Sequence, residues 1–434
     1  MFKQASVPVM GARPRILAVL VMFVSLIFLV SWRHLEFDPK PIWTPPHLRT
    51  EQQDQQTEVI TRPPPPQRCS PLEWSGGSWV FRPPSGNGTS TGYPKVRKEQ
   101  DGLVLLGYEK CASKRNYWWH LGVDYNERWT RFPGVASWKW VPGSQCSGFE
   151  ERAAEWMIKE LVEGGGWLLI GGKNVNTSEI LLVDQLLQDS VTENHFFSLS
   201  CVLSHHIVVH DDRENDIFLD PESPLIDHLE FPDDFDIYVT PLISFHRVDL
   251  LISRDETVAA HRQLGGTLEN ATLFHPTELL WTESQDEYLE RFFTPHPKGG
   301  YRTLIVNTAA HWTSHLFIGG HKPGIEGILE LFRQGMTTWS KAVNAAMDRA
   351  NAQPHSGRDF RTIVRSYTPG HNNCANRHYP MQEVEPYEVK TYNWDEIATF
   401  NDIMGVSVLW LGLDEKLIEF IGIGTWAIRP LPAN

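Results

Sequence analysis

A serine hydroxyl, an asparagine amide and a histidine imidazole stand where apolar runs of this chain end, and together they can carry acyl transfer. The run Gly166-Trp-Leu-Leu-Ile-Gly171 reads as a strand closing on glycine. Further on, Asp189-Ser190-Val-Thr-Glu-Asn-His-Phe-Phe has the pattern of a helix start. Joined, the pieces read strand, Gly-Asp-Ser, helix. A serine hydroxyl is a weak nucleophile at neutral pH; it needs a sharp strand-to-helix turn, a base, and donors for the oxyanion. Gly171 followed by Asp189 and Ser190 supplies the turn, and the helix N-terminus beyond it favours developing negative charge. Without the join, Asp-Ser is a common dipeptide and an ordinary helix cap.

The 17 residues between, Gly172 to Gln188, carry a signature of their own. They open on Gly-Lys, which GGT-AAG encodes, and close on Gln188, which CAG encodes, so both ends are compatible with splice signals. The expectation is a translated in-frame intron, with a genuine surface loop as the alternative. A loop directly before a nucleophile would be unusual, because a catalytic turn has to hold its residue tightly.

The second motif is Leu304-Ile-Val-Asn307-Thr-Ala-Ala-His311-Trp312. An apolar strand delivers Asn307 to its C-terminal end, where a carboxamide can donate to an oxyanion. The plainer possibility is that Asn307 makes a turn while His311 packs on Trp312. His311 is retained as a possible site residue.

The elements that must position these groups follow from periodicity. Ala154, Met157, Ile158 and Leu161 mark a helix over 150–162, and the strand 167–170 follows. Strands are predicted at 206–210, 236–240, 302–306 and 360–366, a long helix from Ile325 to Arg349, and a short one from Trp394 to Met404. Strands alternating with helices predict an α/β fold with a mostly parallel sheet covered on both faces. Sites in such sheets lie beyond the C-terminal strand ends, where Ser190, after joining, and Asn307 both fall.

Length and composition narrow the partners. The chain has 434 residues and a net charge of −14, which argues against a nucleic-acid surface. It has 17 Trp and 11 Tyr, whose ordinary role is packing but whose flat faces also suit sugars. Ile16 to Trp32 is apolar apart from Ser25 and Ser31, with Arg13 and Arg15 before it and Arg33 after it. That length is near the lower end of the roughly 17–25 residues that cross a bilayer, and exceeds the about 7–15 of a cleaved signal. The expectation is a signal anchor, with residues 1–15 cytosolic and the remainder in the Golgi or secretory lumen. Residues 33–68, with Pro63 to Pro66, predict an extended stem, and 69–434 the globular domain. Asn87, Asn176 and Asn270 head Asn-x-Ser/Thr triplets that fit a lumenal domain, Asn176 being discounted because it lies in the insert. Five cysteines (Cys69, Cys111, Cys146, Cys201, Cys374) leave an odd one in an oxidising lumen.

On these residues the chain resembles the PC-esterase family. This is the SGNH-type domain of trichome-birefringence-like and fungal capsule polysaccharide O-acetyltransferases. The likeness runs from about Cys69 to Met404. It includes Trp74 to Trp79, Cys111 to Trp118, Trp138-Lys-Trp140, the interrupted Gly-Asp-Ser, Asn307 to Trp312, and Ser366-Tyr-Thr-Pro-Gly-His371. The resemblance implies a three-layer α/β/α domain and O-acyl, above all O-acetyl, transfer or ester hydrolysis on a cell-wall or capsular glycan. It also implies Ser190 as nucleophile beside Asp189, Asn307 as oxyanion donor with Gly171 bordering the oxyanion, and no cofactor. The acyl donor is not implied.

The departure is at the C-terminus. The family's base lies in an Asp-x-x-His motif, which is absent after residue 300, and no His follows His378. The expectation is that 406–434 is an aberrant tail and that the chain as written is inactive or badly folded, although the gene encodes an acyl-transfer enzyme. His311, His371 and His378 are candidate replacements for the base. Two rivals remain: a non-catalytic glycan-binding scaffold, and a type II membrane glycosyltransferase using Asp234-Phe-Asp236 for Mn²⁺. No metal site is expected from the histidine spacing.

Overall fold

Three apolar runs ending at Gly171, Asn307 and Ser366 become adjacent parallel strands at the centre of one sheet. The computed structural model describes residues 77–81, 101, 137–141, 154–172, 191–210, 213–267, 273–276, 280–318, 320–354, 359–368, 391–409 and 418–421. The chain divides into Met1–Pro64 and Pro65–Asn434. The expected cytosolic tail, the anchor and the stem lie outside the described residues. So do the three glycosylation triplets, Asp189, Ser190, His371 and His378. Among the described residues no helix is long and apolar enough to cross a membrane.

Strands β1 (Ser78–Phe81) and β2 (Trp138–Val141) form a small antiparallel pair. The main sheet runs β4 (Ile207–Val208), β5 (Asp216–Leu219), β6 (Ile243–Arg247), β3 (Gly166–Gly171), β7 (Tyr301–Val306), β8 (Arg361–Arg365) and β9 (Ile418–Ile421). From β6 through β9 neighbours are parallel, while β4 and β5 extend one edge antiparallel. The sheet is therefore mixed and mostly parallel, an α/β architecture. From β3 the chain first builds outward to β6 and then crosses to β7 on the other side. Strand order thus reverses at β3, and in open sheets of this kind ligands bind beyond the carboxyl ends of the strands at such a point.

Alternation along the central strands buries both faces. Leu168 and Ile170 of β3, with Leu304 and Val306 of β7, point into one cluster. Leu169 and Ile305 point into the other. Helices α1 (Ala154–Glu163) and α2 (Val191–Val202) cover the second face through Ile158, Leu161, Val162, Phe196 and Leu199. The first face takes α3 (Arg254–Gln263), α4 (Gln285–Phe292), α5 (Gly324–Asn351) and α6 (Ile397–Leu409). Ile328, Phe332, Met336, Trp339, Val343 and Met347 form the buried stripe of α5, recurring every three or four residues. Capping boxes at Ser253 and Ser284 start α3 and α4. Trp339 Nε1 donates to Tyr288 Oη at 2.5 Å, and Tyr288 Oη donates to Leu251 O at 3.1 Å, fastening α5 to α4 and to the loop after β6.

Three expectations change. The segment 236–240 is a turn rather than a strand. Asp236 Oδ1 accepts from Tyr238 N at 2.9 Å, and Asp236 O accepts from Thr240 N at 2.7 Å. A carboxylate that captures the backbone two residues on competes successfully with a ladder. Strands β5 and β6 supply the sheet positions instead. The strand expected at 206–210 shortens to Ile207–Val208, and the last helix runs Ile397–Leu409 rather than Trp394 to Met404.

Candidate active site

Gly171 ends β3 where three elements meet. A Cβ there would lie 2.2 Å from Thr192 Oγ1 and 2.9 Å from Asn307 O, so only glycine fits. Thr192 belongs to the first turn of α2, two residues after Ser190. The two sequence pieces on either side of the insert are thus in contact through Gly171 and Thr192. Thr192 Oγ1 also donates toward Asn307 Oδ1 at 3.5 Å, the long limit of a hydrogen bond. The N-terminus of α2, the positive end of its dipole, lies at this junction through Thr192.

Asn307 is buried, and its amide is turned inward. Nδ2 donates to Arg365 O at 3.0 Å and to Ser366 O at 3.2 Å, ties that hold β7 to the end of β8. Its backbone N–H donates to Ile170 O at 3.2 Å. In this arrangement both amide hydrogens are spent on carbonyls, so donation to an oxyanion requires the carboxamide to give up one of them. What Asn307 does here is lock three strand ends together.

His311 lies on the loop after β7, and its neighbour explains its position. Trp312 is fully buried, stacked on Phe317 at 5.4 Å between centroids and edge-on to Phe332 at 5.1 Å. With the indole anchored, the imidazole is directed toward β6 rather than onto Trp312. His311 Nε2 is 3.6 Å from Asp249 Oδ1, an ion-pair separation rather than a formed hydrogen bond. Catalytic contacts of this kind often tighten only when substrate is bound.

Asp249, two residues past β6, organises this side. Its side chain is fully buried. It accepts from Arg247 Nε and Nη2, each at 3.0 Å, the bidentate fork that stabilises a buried carboxylate. Trp281 N donates to its Oδ2 at 2.9 Å, and Thr308 Oγ1 donates to its backbone carbonyl at 3.0 Å, tying the His311 loop to β6. Beside these, His246 Nε2 pairs with Glu283 Oε2. Sequence reasoning missed Asp249 and Arg247 because it did not read Ile243–Arg247 as a strand. The alternation Ile-Ser-Phe-His-Arg was the available signal.

His195, one turn along α2, faces Arg365. Burial, aided by the Arg365 charge, lowers its pKa from 6.5 to about 3, so the ring stays neutral. Among the described residues its Nδ1 has no hydrogen-bond partner, and neither has the buried Ser366 Oγ.

The Asp234-Phe-Asp236 motif lies elsewhere. Phe235 packs on His296, which precedes the amino-terminal end of β7, and the Asp236 carboxylate is engaged in its own turn. Among the described residues no cluster of three or more His, Cys, Asp or Glu forms a metal site. Cys201 on α2 is disulfide-bonded. No family model, curated protein or solved structure matches this chain.

Proposed function

We propose that this protein is a serine-dependent O-acyltransferase or esterase of SGNH type, acting on acetyl esters of a cell-wall or capsular glycan. The observation that carries this reading is the contact between Gly171, the first turn of α2 and Asn307 at the point where strand order reverses. Two sequence pieces separated by an insert meet there, as a strand–Gly-Asp-Ser–helix turn requires.

In this reading Ser190 Oγ attacks the ester carbonyl carbon while its proton passes to His311. The oxyanion develops toward the N-terminus of α2. The tetrahedral intermediate then expels the donor alcohol, which leaves with the proton from His311. Attack by a sugar hydroxyl or by water on the acyl-serine reverses these steps and frees Ser190. Asp249, held by Arg247, orients His311 and stabilises its protonated form, replacing the absent C-terminal Asp-x-x-His. The disulfide at Cys201 supports a lumenal location. We place the N-terminal apolar run in the Golgi membrane as a type II anchor.

A fluorophosphonate probe tests the reading, because it reacts only with an activated serine. Labelling that disappears in Ser190→Ala supports it. Absence of labelling together with tight glycan binding favours the scaffold alternative.

A further inference from the structure

We infer that Trp281 is the platform on which an uncharged pyranose ring of the glycan stacks, so that an ester or hydroxyl on that ring reaches His311 and the α2 N-terminus. The inference rests on the acyl-transfer reading for its substrate class. Its physical basis is a separate set of contacts.

Trp281 is 46% exposed, and a lone exposed apolar side chain needs no explanation. This indole differs in being immobilised. Its backbone is clasped from both sides by one residue: Asp249 N donates to Trp281 O at 2.8 Å, and Trp281 N donates to Asp249 Oδ2 at 2.9 Å. The Arg247 guanidinium lies 3.8 Å over one ring face, and Asp249 pins that guanidinium in turn. The exposure therefore belongs to the remainder of the ring. A fixed, partly open aromatic surface binds without first losing side-chain entropy.

Charge selects the occupant. The Arg247 guanidinium against the indole is matched by the Asp249 carboxylate, and the nearby Glu283 carboxylate is paired with His246. A surface with compensated ions and an open aromatic face suits a neutral ring that offers C–H groups to the indole and hydroxyls to the rim. Asp249 links the two halves of the site. The carboxylate facing His311 also fixes Trp281, so a ring seated on the indole is registered to the imidazole.

The test is calorimetric titration of the full-length chain with neutral hexasaccharides of β-linked xylose, mannose and glucose. Wild type is expected to bind at least one of them. Trp281→Ala should weaken that binding about tenfold or more, and Trp281→Phe should retain most of it, since a smaller aromatic face remains. Tyr238→Ala, which removes an aromatic ring that is 62% exposed elsewhere, should leave it unchanged. The inference is overturned if no hexasaccharide binds wild type, or if Trp281→Ala binds within twofold of it. Fluorophosphonate labelling of the same samples separates the two ideas. Trp281-dependent binding without Ser190 labelling keeps the platform and removes the acyl-transfer reading. Labelling without Trp281-dependent binding does the reverse.

Discussion

The two ends of the central sheet tie their polar groups differently. At the amino-terminal end Ser244 Oγ donates to Asp216 Oδ1 at 2.5 Å and lies 2.6 Å from Tyr301 Oη. A hydroxyl has one proton, so Tyr301 donates to Ser244 and the chain Tyr301–Ser244–Asp216 is closed. Arg361 Nε donates to Thr303 Oγ1 at 3.0 Å on the neighbouring strands. Burial raises the Asp216 pKa, with the Ser244 hydrogen bond acting against it. At the carboxyl end His195 Nδ1 and Ser366 Oγ lack partners among the described residues, and His311 stands 3.6 Å from Asp249. Buried polar groups are normally satisfied. Yet His296 Nδ1 and Thr362 Oγ1 near the amino-terminal end also lack hydrogen-bond partners among the described residues. The difference therefore lies in one set of contacts: Tyr301–Ser244–Asp216 is hydrogen-bonded throughout, while His311 and Asp249 stand apart. The closed chain ties β5, β6 and β7 together, and in the proposed reading the His311–Asp249 contact tightens when substrate binds.

The contrast is broken most strongly by removing His311, the proposed base. His311→Ala should reduce fluorophosphonate reactivity by about 10³-fold, within the range for lost general-base catalysis. The melting temperature should barely move, because Trp312 anchors the loop. A variant that labels as fast as wild type removes His311 from the mechanism.

Asn307→Asp is next. It turns a donor into a carboxylate facing the carbonyls of Arg365 and Ser366, and should destabilise the fold by about 3 kcal/mol. Denaturant unfolding measures this; a midpoint unchanged from wild type would mean the inward ties are not formed.

The third prediction concerns pH. The folded state depresses the His195 pKa to about 3 from 6.5, so the unfolded chain binds a proton that the folded chain refuses. The stabilisation is complete above the unfolded value and is lost as pH falls from there toward 3. Replacing the ring by His195→Gln should flatten the stability profile between pH 6.5 and 5 by about 2 kcal/mol. Parallel profiles for the two proteins would show that His195 is not held neutral.

The smallest effect belongs to the closed chain at the amino-terminal end. Tyr301→Phe deletes one buried hydroxyl and should cost about 1 kcal/mol of stability without altering the labelling rate. A labelling defect in that variant would mean that the two ends are coupled.

Much of this arrangement is legible in the sequence where chemistry and apolar pattern coincide. Leu304-Ile-Val is the uninterrupted apolar core of a central strand and delivers Asn307 to the carboxyl end as expected, and the strand read at 360–366 is present as Arg361–Arg365. The long stripe of α5 is equally plain. β6 is fainter, because its only signal is a five-residue alternation, Ile243-Ser-Phe-His-Arg247, with no continuous apolar run to mark it. Losing that strand also conceals Asp249, whose role depends on pairing with residues 32 and 62 positions later in the chain, Trp281 and His311. Segment 236–240 has the alternation of a strand, but its leading aspartate captures the local backbone first. The inward turn of Asn307 has no sequence signal at all, since it depends on where the carbonyls of β8 fall.

The central claim is that the turn bounded by Gly171 and α2 presents an activated serine. It is tested most directly by brief incubation with p-nitrophenyl acetate, acid quenching and peptide mass analysis, on the full chain and on a form lacking 172–188. The account predicts a single acetyl group on the peptide containing Ser190, at least in the shortened form. It also predicts that the adduct is lost in Ser190→Ala. Acetyl found on another residue, or on none in either form, would contradict it.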